Sequence, residues 1–141
     1  MNTAAYLVHA EMARWNLTAE LGLLSYVARR RLAFLVVHNA VLYRRPIGPL
    51  ERFTISTQLA DWGAREAVFL HTFRDGRERL AAQVVCRAVF REMSGSHAFV
   101  APASILADSI GYDASTPPAS GPFAAVLKAS SALNTEMRAQ E

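Results

Sequence analysis

The hydrophobic period of the chain changes near residue 33, and this change constrains the fold more than any other feature of the sequence. Within residues 3–15, apolar side chains recur close to helical spacing, at Ala4, Leu7, Val8, Met12 and Trp15. A second helical segment is predicted from Asn16 to about Tyr26. Beyond residue 33 the apolar side chains recur with the two-residue period of β-strands. The sequence therefore predicts helices first and strands afterwards.

Four segments with the two-residue period are bounded by turn residues. The predicted strands are Phe34–Tyr43, Phe53–Ala60, Ala67–Phe73 and Leu80–Phe90. The Asp75-Gly76 pair between the last two is a strong hairpin signal. Short turns between consecutive strands predict an antiparallel meander, and the long first helix must bury its apolar stripe against one face of that sheet. The expected class is α+β, with an antiparallel sheet wrapped around the N-terminal helix.

The four strands differ in how they are expected to be buried. Phe34–Tyr43 is rich in Val and Leu, which predicts burial on both faces. The fourth strand alternates more clearly. Its apolar positions are predicted to form the core, and Arg79, Gln83, Arg87 and Arg91 on its other face are predicted to be solvated.

Composition limits the class of protein. With 52% apolar and 19% charged residues, we expect either a large core or a surface covered by a partner, most simply a second copy. No apolar run is long enough to span a bilayer and no leader-like segment opens the chain, which predicts a cytoplasmic protein without membrane contact. The single Cys86 excludes an intrachain disulfide and a zinc quartet, and its place in an alternating strand predicts a core residue.

Several polar side chains stand out by position. Glu11 lies on the predicted apolar stripe, where a carboxylate must be paired or have a function, so it is a candidate general base. Arginine pairs such as Arg44–Arg45 suit phosphate groups, although a solvated basic turn is the alternative. They are too local to indicate nucleic acid. His71 shares a face with Phe69 and Phe73, and either contacts substrate or is a hydrogen-bonded sheet histidine.

Several segments match one family in order and spacing. They are Met1-Asn2, Ala5-Tyr6-Leu7, Glu11, Ala13-Arg14, Tyr43-Arg44-Arg45-Pro46-Ile47, Glu51-Arg52-Phe53, Asp61-Trp62 and His71. In these features, over about residues 2–108, the chain resembles the hot-dog fold thioesterases of the 4-hydroxybenzoyl-CoA thioesterase branch. The resemblance implies a homodimer or homotetramer that hydrolyses acyl-CoA or acyl-carrier-protein thioesters of fatty acid metabolism, without metal or cofactor, at the subunit interface.

The resemblance also implies site residues. Glu11 and Asn2 are the catalytic candidates, and backbone N–H groups at the helix start would polarise the thioester carbonyl. Tyr6, His71, Arg44 and Arg45 are the expected substrate-binding residues. Three alternatives stay open: Asn2 as a helix N-cap, Tyr6 as a packed core residue, and Glu11 as a buried carboxylate tied to a backbone amide or to an arginine of the neighbouring subunit.

The family's usual catalytic Asp would lie before Met1, so we expect either a start site placed too late or a protein without the first strand and its acid. Two further functions are open, namely an inactive hot-dog protein that binds acyl thioesters and a 3-hydroxyacyl dehydratase. The dehydratase requires a histidine–acid pair, which His9 and Glu11 match poorly because residues two apart point in different directions. The predicted organisation is a hot-dog domain over residues 1–112, a linker over 113–122 and a helical tail over 123–141.

Overall fold

The computed structural model describes residues 1–110, 136–137 and 139–140. The predicted linker, and the predicted helical tail apart from four of its residues, lie outside the described residues. The elements in chain order are α1 (Thr3–Glu20), α2 (Leu23–Arg29), β1 (Leu32–Tyr43), β2 (Phe53–Trp62), β3 (Glu66–Asp75), β4 (Leu80–Glu92), β5 (Phe99–Val100) and α3 (Pro102–Ile110). The α+β class, with an N-terminal helix and an antiparallel sheet, is confirmed.

The sheet is antiparallel and its strands are ordered β1-β4-β3-β2, with the short β5 paired to β4. Strands β2, β3 and β4 form the predicted meander, but β1 pairs with β4 and not with β2. The expectation of a meander throughout was therefore wrong for β1. The segment 44–52 explains the difference, because it is much longer than a hairpin turn and contains Pro46 and Pro49, so it can carry the chain across to the opposite edge.

The turn between β3 and β4 is organised by Asp75, as the Asp-Gly signal predicted. The Asp75 carboxylate accepts hydrogen bonds from the N–H groups of Arg77 and Arg79, at 2.9 and 3.0 Å, and from the Arg79 guanidinium at 2.9 Å. Burial by itself would raise the pKa of the Asp75 carboxyl, but these donors outweigh it and lower the pKa. Asp75 is thus an ionised cap of the hairpin.

Helix α1 packs on one face of the sheet through a different stripe from the predicted one. Its buried side chains are Tyr6, Ala10 and Arg14, four residues apart along the helix. Val8, Met12 and Trp15, which were predicted to face the sheet, are exposed. The small Ala10 allows the helix backbone to approach the sheet, and this places the bulkier apolar residues on the outside.

Two expectations about strand burial were also wrong. Strand β1 lies at an edge of the sheet, and Leu35, Val37 and Leu42 are exposed where burial on both faces was expected. On β4 the helix-facing residues are buried as predicted, but the other face is not solvated throughout. Arg87 on that face is only 4% exposed, and its guanidinium lies 2.5 Å from the Glu66 carboxylate. No helix among the described residues is long and apolar enough to cross a membrane.

Candidate active site at the start of helix α1

Asn2 caps helix α1 and leaves two backbone donors free. Its side-chain Oδ1 accepts from the N–H of Ala5 at 2.9 Å, and its carbonyl oxygen accepts from the N–H of Tyr6 at 3.2 Å. Within the described residues, the N–H groups of Thr3 and Ala4 donate to no protein acceptor, because a helix supplies none at its start. The helix dipole adds partial positive charge at this point. The Asn2 N-cap alternative is therefore the role that the structure shows directly.

An open pocket of about 300 Å³ adjoins the helix start and is lined by Met1, Tyr6, Tyr43, Arg44, Arg45 and Pro46. The backbone N–H groups of Arg44 and Arg45 both donate to the carbonyl oxygen of Ala81, at 2.8 and 2.9 Å, which fixes the chain after β1. Both arginine side chains are exposed. Four of the predicted site residues, Asn2, Tyr6, Arg44 and Arg45, thus lie together.

Tyr6 and Tyr43 form the aromatic wall of this pocket. The Tyr6 ring is almost fully buried and meets the rings of Tyr43 and Phe73 edge-on, at centroid distances of 5.6 and 5.0 Å. Burial, and to a lesser degree the neighbouring Tyr43, raises the pKa of the Tyr6 hydroxyl, which therefore stays neutral. The Tyr43 hydroxyl is hydrogen-bonded to the Thr3 hydroxyl. Sequence analysis gave no role to Thr3 or Tyr43, because no local pattern connects residues forty positions apart.

Glu11 is exposed, which corrects the expectation that it lies on the buried stripe of α1. Its place along the helix is nevertheless informative. Thr3 contacts Tyr43, and Arg14 and Trp15 contact Phe34, so this side of α1 faces the edge strand β1. Glu11 falls between these residues on the helical wheel. Its charge also helps to raise the pKa of the Cys86 thiol on β4, next to β1.

We call the surface between these contacts the α1–β1 groove and define it by Thr3, Glu11 and Arg14 on the helix and by Tyr43 and Phe34 on the strand. The helical rise puts Glu11 about 12 Å from Thr3 along the axis. Glu11 of one protomer therefore does not lie beside the free N–H groups of the same protomer.

His71 is not brought into the pocket. It is fully buried in β3, and its Nδ1 lies 2.9 Å from the hydroxyl oxygen of Thr57 on β2. Burial, with a smaller contribution from the positive charge of Arg14, lowers the pKa of His71 to about 4, so its imidazole is neutral near pH 7. This arrangement fits a hydrogen-bonded sheet histidine.

His9 and Glu11 do not form an acid–base pair. His9 packs edge-on against Phe53 of β2, with ring centroids 5.1 Å apart, whereas Glu11 lies on the side of α1 that faces β1. In the part of the chain that the structure describes, no cluster of three histidine, cysteine or acidic side chains could hold a metal ion.

Comparison with known proteins points to one family. The profile of the thioesterase-like superfamily matches residues 1–113. No curated protein matches the chain at a significant level.

Three solved structures illustrate the likeness in fold. The probable thioesterase YbaW from Escherichia coli is 22% identical, with a TM-score of 0.66 over 79% of this chain and 84% of its own. A protein from Staphylococcus aureus in complex with CoA is 15% identical, with a TM-score of 0.65 over 84% and 75%. A thioesterase from Thermus thermophilus complexed with coenzyme A and Zn is 20% identical, with a TM-score of 0.60 over 78% of each chain.

Proposed function

The chain belongs to the thioesterase-like superfamily and has the hot-dog fold, and we propose that it hydrolyses an acyl-CoA thioester at the start of helix α1. The observation that carries the proposal is the pair of free backbone N–H groups, at Thr3 and Ala4, beside a pocket with two exposed arginines. A thioester carbonyl gains negative charge on its oxygen when water attacks it. Two N–H donors at the positive end of a helix stabilise that charge without having to reorganise.

Arg44 and Arg45 are proposed to hold the phosphates of the thiol carrier. Their backbones are fixed by Ala81, and both side chains reach solvent at the mouth of the pocket. A guanidinium binds phosphate through two parallel hydrogen bonds, so a fixed arginine pair suits the pyrophosphate of CoA. The single phosphate of a carrier-protein phosphopantetheine is the second candidate, because it offers the same chemistry with less charge.

Glu11 is proposed to activate the attacking water across an interface between two copies of the chain. Its carboxylate is exposed, and within the described residues it forms no ion pair, so it is available as a base. It lies too far along α1 to act beside Thr3 and Ala4 of its own protomer. A second protomer that covers the α1–β1 groove would bring its own helix start towards Glu11.

A homodimer is proposed on the grounds of the β1 edge. This twelve-residue strand has β4 on one side and, among the residues that the structure describes, no strand on the other, and Leu35, Val37 and Leu42 on it are exposed. A long apolar edge of this kind is a template for pairing with another chain. A second copy on β1 would cover the edge and close the groove in the same step.

The test is thiol release from octanoyl-CoA by the purified chain, with Arg44→Met/Arg45→Met and Glu11→Gln as variants. We expect the double substitution Arg44→Met/Arg45→Met mainly to raise KM. We expect Glu11→Gln to lower kcat by at least about a hundredfold. The matched controls are Arg77→Met in the β3–β4 turn and Glu20→Gln at the far end of α1, both exposed and both expected to leave turnover unchanged. CoA binding without thiol release from any acyl length would replace this proposal with the inactive acyl-thioester binder.

A further inference from the structure

A β-bulge in the middle of β1 changes which residues of the strand face α1. The pairing of β1 with β4 shifts by one residue between Val36 and His38. Before the shift the ring of Phe34 contacts α1, and after the shift the ring of Tyr43 does so. Residues nine positions apart in a regular strand point to opposite faces, so it is the bulge that brings both rings to the same side.

The bulge also turns Asn39 towards α1. In the shifted register Asn39 lies opposite Cys86 on β4, and paired residues of antiparallel strands point to the same face. Cys86 faces α1, because its sulfur accepts a hydrogen bond from the Arg14 guanidinium at 3.3 Å. Without the bulge, Asn39 would lie on the opposite face from Phe34, away from the helix. Bulges are frequent next to active sites, where they redirect a side chain in this way.

An asparagine is an unusual residue for this position of a strand. Asn is depleted in β-strands, and the residues on either side of Asn39 along the same face of β1, Val36 and Val41, are apolar. The Asn39 side chain is exposed, and among the described residues its carboxamide forms no hydrogen bond with a protein group. The amide therefore keeps its donors and its acceptor free for a bound molecule.

Glu11 approaches the same cysteine from the helix. Burial, and to a lesser degree the charge of Glu11, raises the pKa of the Cys86 thiol. Asn39 flanks Cys86 from β1, so the carboxylate and the carboxamide lie on the same part of the sheet. Both side chains are exposed to solvent in the α1–β1 groove. A carboxylate and a free amide thus face one solvent-accessible place from two elements.

We propose that Asn39 binds the attacking water together with Glu11 and thereby directs it at the thioester carbonyl. This inference rests on the proposed thioester hydrolysis. The carboxamide oxygen of Asn39 accepts a hydrogen bond from one O–H of the water, and that hydrogen stays on the oxygen. Glu11 takes the other proton while the water oxygen bonds to the carbonyl carbon, and the proton passes to the thiolate when the C–S bond breaks. A second acceptor fixes the direction of attack, which a single hydrogen bond leaves free.

The role of Asn39 in turnover is tested with Asn39→Leu, which keeps the size of the side chain and removes its hydrogen-bonding groups. On octanoyl-CoA we expect kcat to fall by at least about tenfold with little change in KM, because the water and not the substrate loses a partner. The matched control is Asn16→Leu. Asn16 is exposed and follows His9, which faces β2, by two helical turns, so it lies away from the groove. Full kcat in Asn39→Leu would overturn the proposal.

A second variant, Asn39→Asp, gives a readout that a merely structural role would not move. It keeps an acceptor oxygen but puts a second negative charge beside Glu11. Because a like charge favours the protonated carboxyl, the acid limb of the pH profile of kcat should move to higher pH, by about half a unit or more. Asn16→Asp adds the same charge on the other side of α1 and should leave the limb unchanged. Wild type and variants share the charged or titratable side chains that face this side from each packed element, namely Arg14 of α1, Tyr43 of β1, Cys86 of β4 and His71 of β3.

A measurement without turnover separates this inference from the hydrolase proposal. The side-chain carboxyl of Glu11 is titrated by NMR in the wild type, Asn39→Asp and Asn16→Asp, with its signal assigned from Glu11→Gln. An upward move of the titration midpoint in Asn39→Asp alone would support the position of Asn39 beside Glu11. No move in an active enzyme would overturn the role of Asn39 and leave the hydrolase proposal standing. A move in a protein that hydrolyses no thioester would refute the hydrolase proposal, and the water-binding role with it.

Discussion

Two arginines are buried on opposite faces of the same sheet, and their guanidinium groups have different kinds of partner. Arg87, on the outer face of β4, is 4% exposed and lies 2.5 Å from the carboxylate of Glu66. Arg14, on the side of α1 that packs against the sheet, is 7% exposed and meets a thiol and a phenyl ring. Arg87 has an internal counter-ion, as a structural charge requires. Arg14 has none among the described residues, so one buried charge is compensated by an ion pair and the other only by a thiol and an aromatic ring.

The largest effect is expected from breaking the pair on the outer face. Glu66→Gln keeps the shape of the side chain but removes the anion beside Arg87. Loss of one partner of a buried pair is strongly destabilising, and we expect the free energy of unfolding to fall by about 3 kcal/mol. This value lies at the lower end of the usual range because Glu66 is itself partly exposed. Urea denaturation at pH 7 measures this. An unchanged midpoint would show that Arg87 does not depend on Glu66.

The next effect is a pH dependence of stability that comes from His71, on the face of the sheet covered by α1. The pKa of His71 is about 4 in the folded chain, below its ordinary value of 6.5, so the unfolded chain binds a proton between these values that the folded chain does not. Stability from His71 is complete above pH 6.5 and is lost as the pH falls towards 4. It should amount to about 2 kcal/mol between pH 7 and pH 5.

Comparison of wild type with His71→Gln at the two pH values isolates this contribution from that of the carboxylates. Arg14→Met should raise the pKa of His71 and reduce the pH dependence, because the charge of Arg14 contributes to the shift. An equal pH dependence in wild type and His71→Gln would show that His71 is protonated in the fold.

A small effect on stability is expected from Arg14→Met in the absence of ligand. Replacing a buried cation that lacks an internal counter-ion with an apolar side chain of similar length is neutral or stabilising, within about 1 kcal/mol. The same substitution at Arg87 should be destabilising, because it leaves Glu66 behind. Urea denaturation of both variants under one set of conditions tests the contrast between the two faces directly. A large loss for Arg14→Met would make Arg14 a structural residue.

The smallest effect concerns the thiol beside Arg14. If Cys86 were a thiolate, Arg14 would have an anionic partner after all. Burial raises the pKa of Cys86 and Glu11 adds to this, which outweighs the opposite influence of Arg14. We therefore expect no alkylation by iodoacetamide in the folded protein at pH 8 and complete alkylation in denaturant. Rapid alkylation of the folded chain would show that Cys86 is a thiolate, and Arg14 would then have an anionic partner as Arg87 does.

The elements of the fold could be predicted from the sequence better than their arrangement could. The strands lie within a few residues of their predicted bounds, because a two-residue period is a local signal. The partner of β1 is not local, since the hydrophobic pattern of β1 fits β2 and β4 equally well. The buried stripe of α1 was misjudged because Val8, Met12 and Trp15 are apolar but exposed, whereas Arg14 is charged but buried.

In the candidate site, too, the features with local sequence signals could be predicted and those that depend on distant contacts could not. Asn2 and Tyr6 at the start of α1 lie near Arg44 and Arg45 after β1, since the start of a helix and the end of an edge strand each have local signals, and the roles of these residues stay predictions. The burial of Arg14 was not predicted. It depends on the contact between Arg14 of α1 and Cys86 of β4, seventy-two positions later, which no periodicity reports.

The position of β1 also determines the order in which the chain can assemble. Strands β2, β3 and β4 pair with their neighbours in sequence, so they can form their part of the sheet as soon as they are synthesised. Strand β1 is synthesised before β2, β3 and β4, yet each of its partners on β4 comes about 40 to 60 positions later. The apolar strand β1 therefore stays unpaired until β4 has been synthesised. This waiting period is when the nascent chain is most exposed to aggregation and most dependent on chaperones.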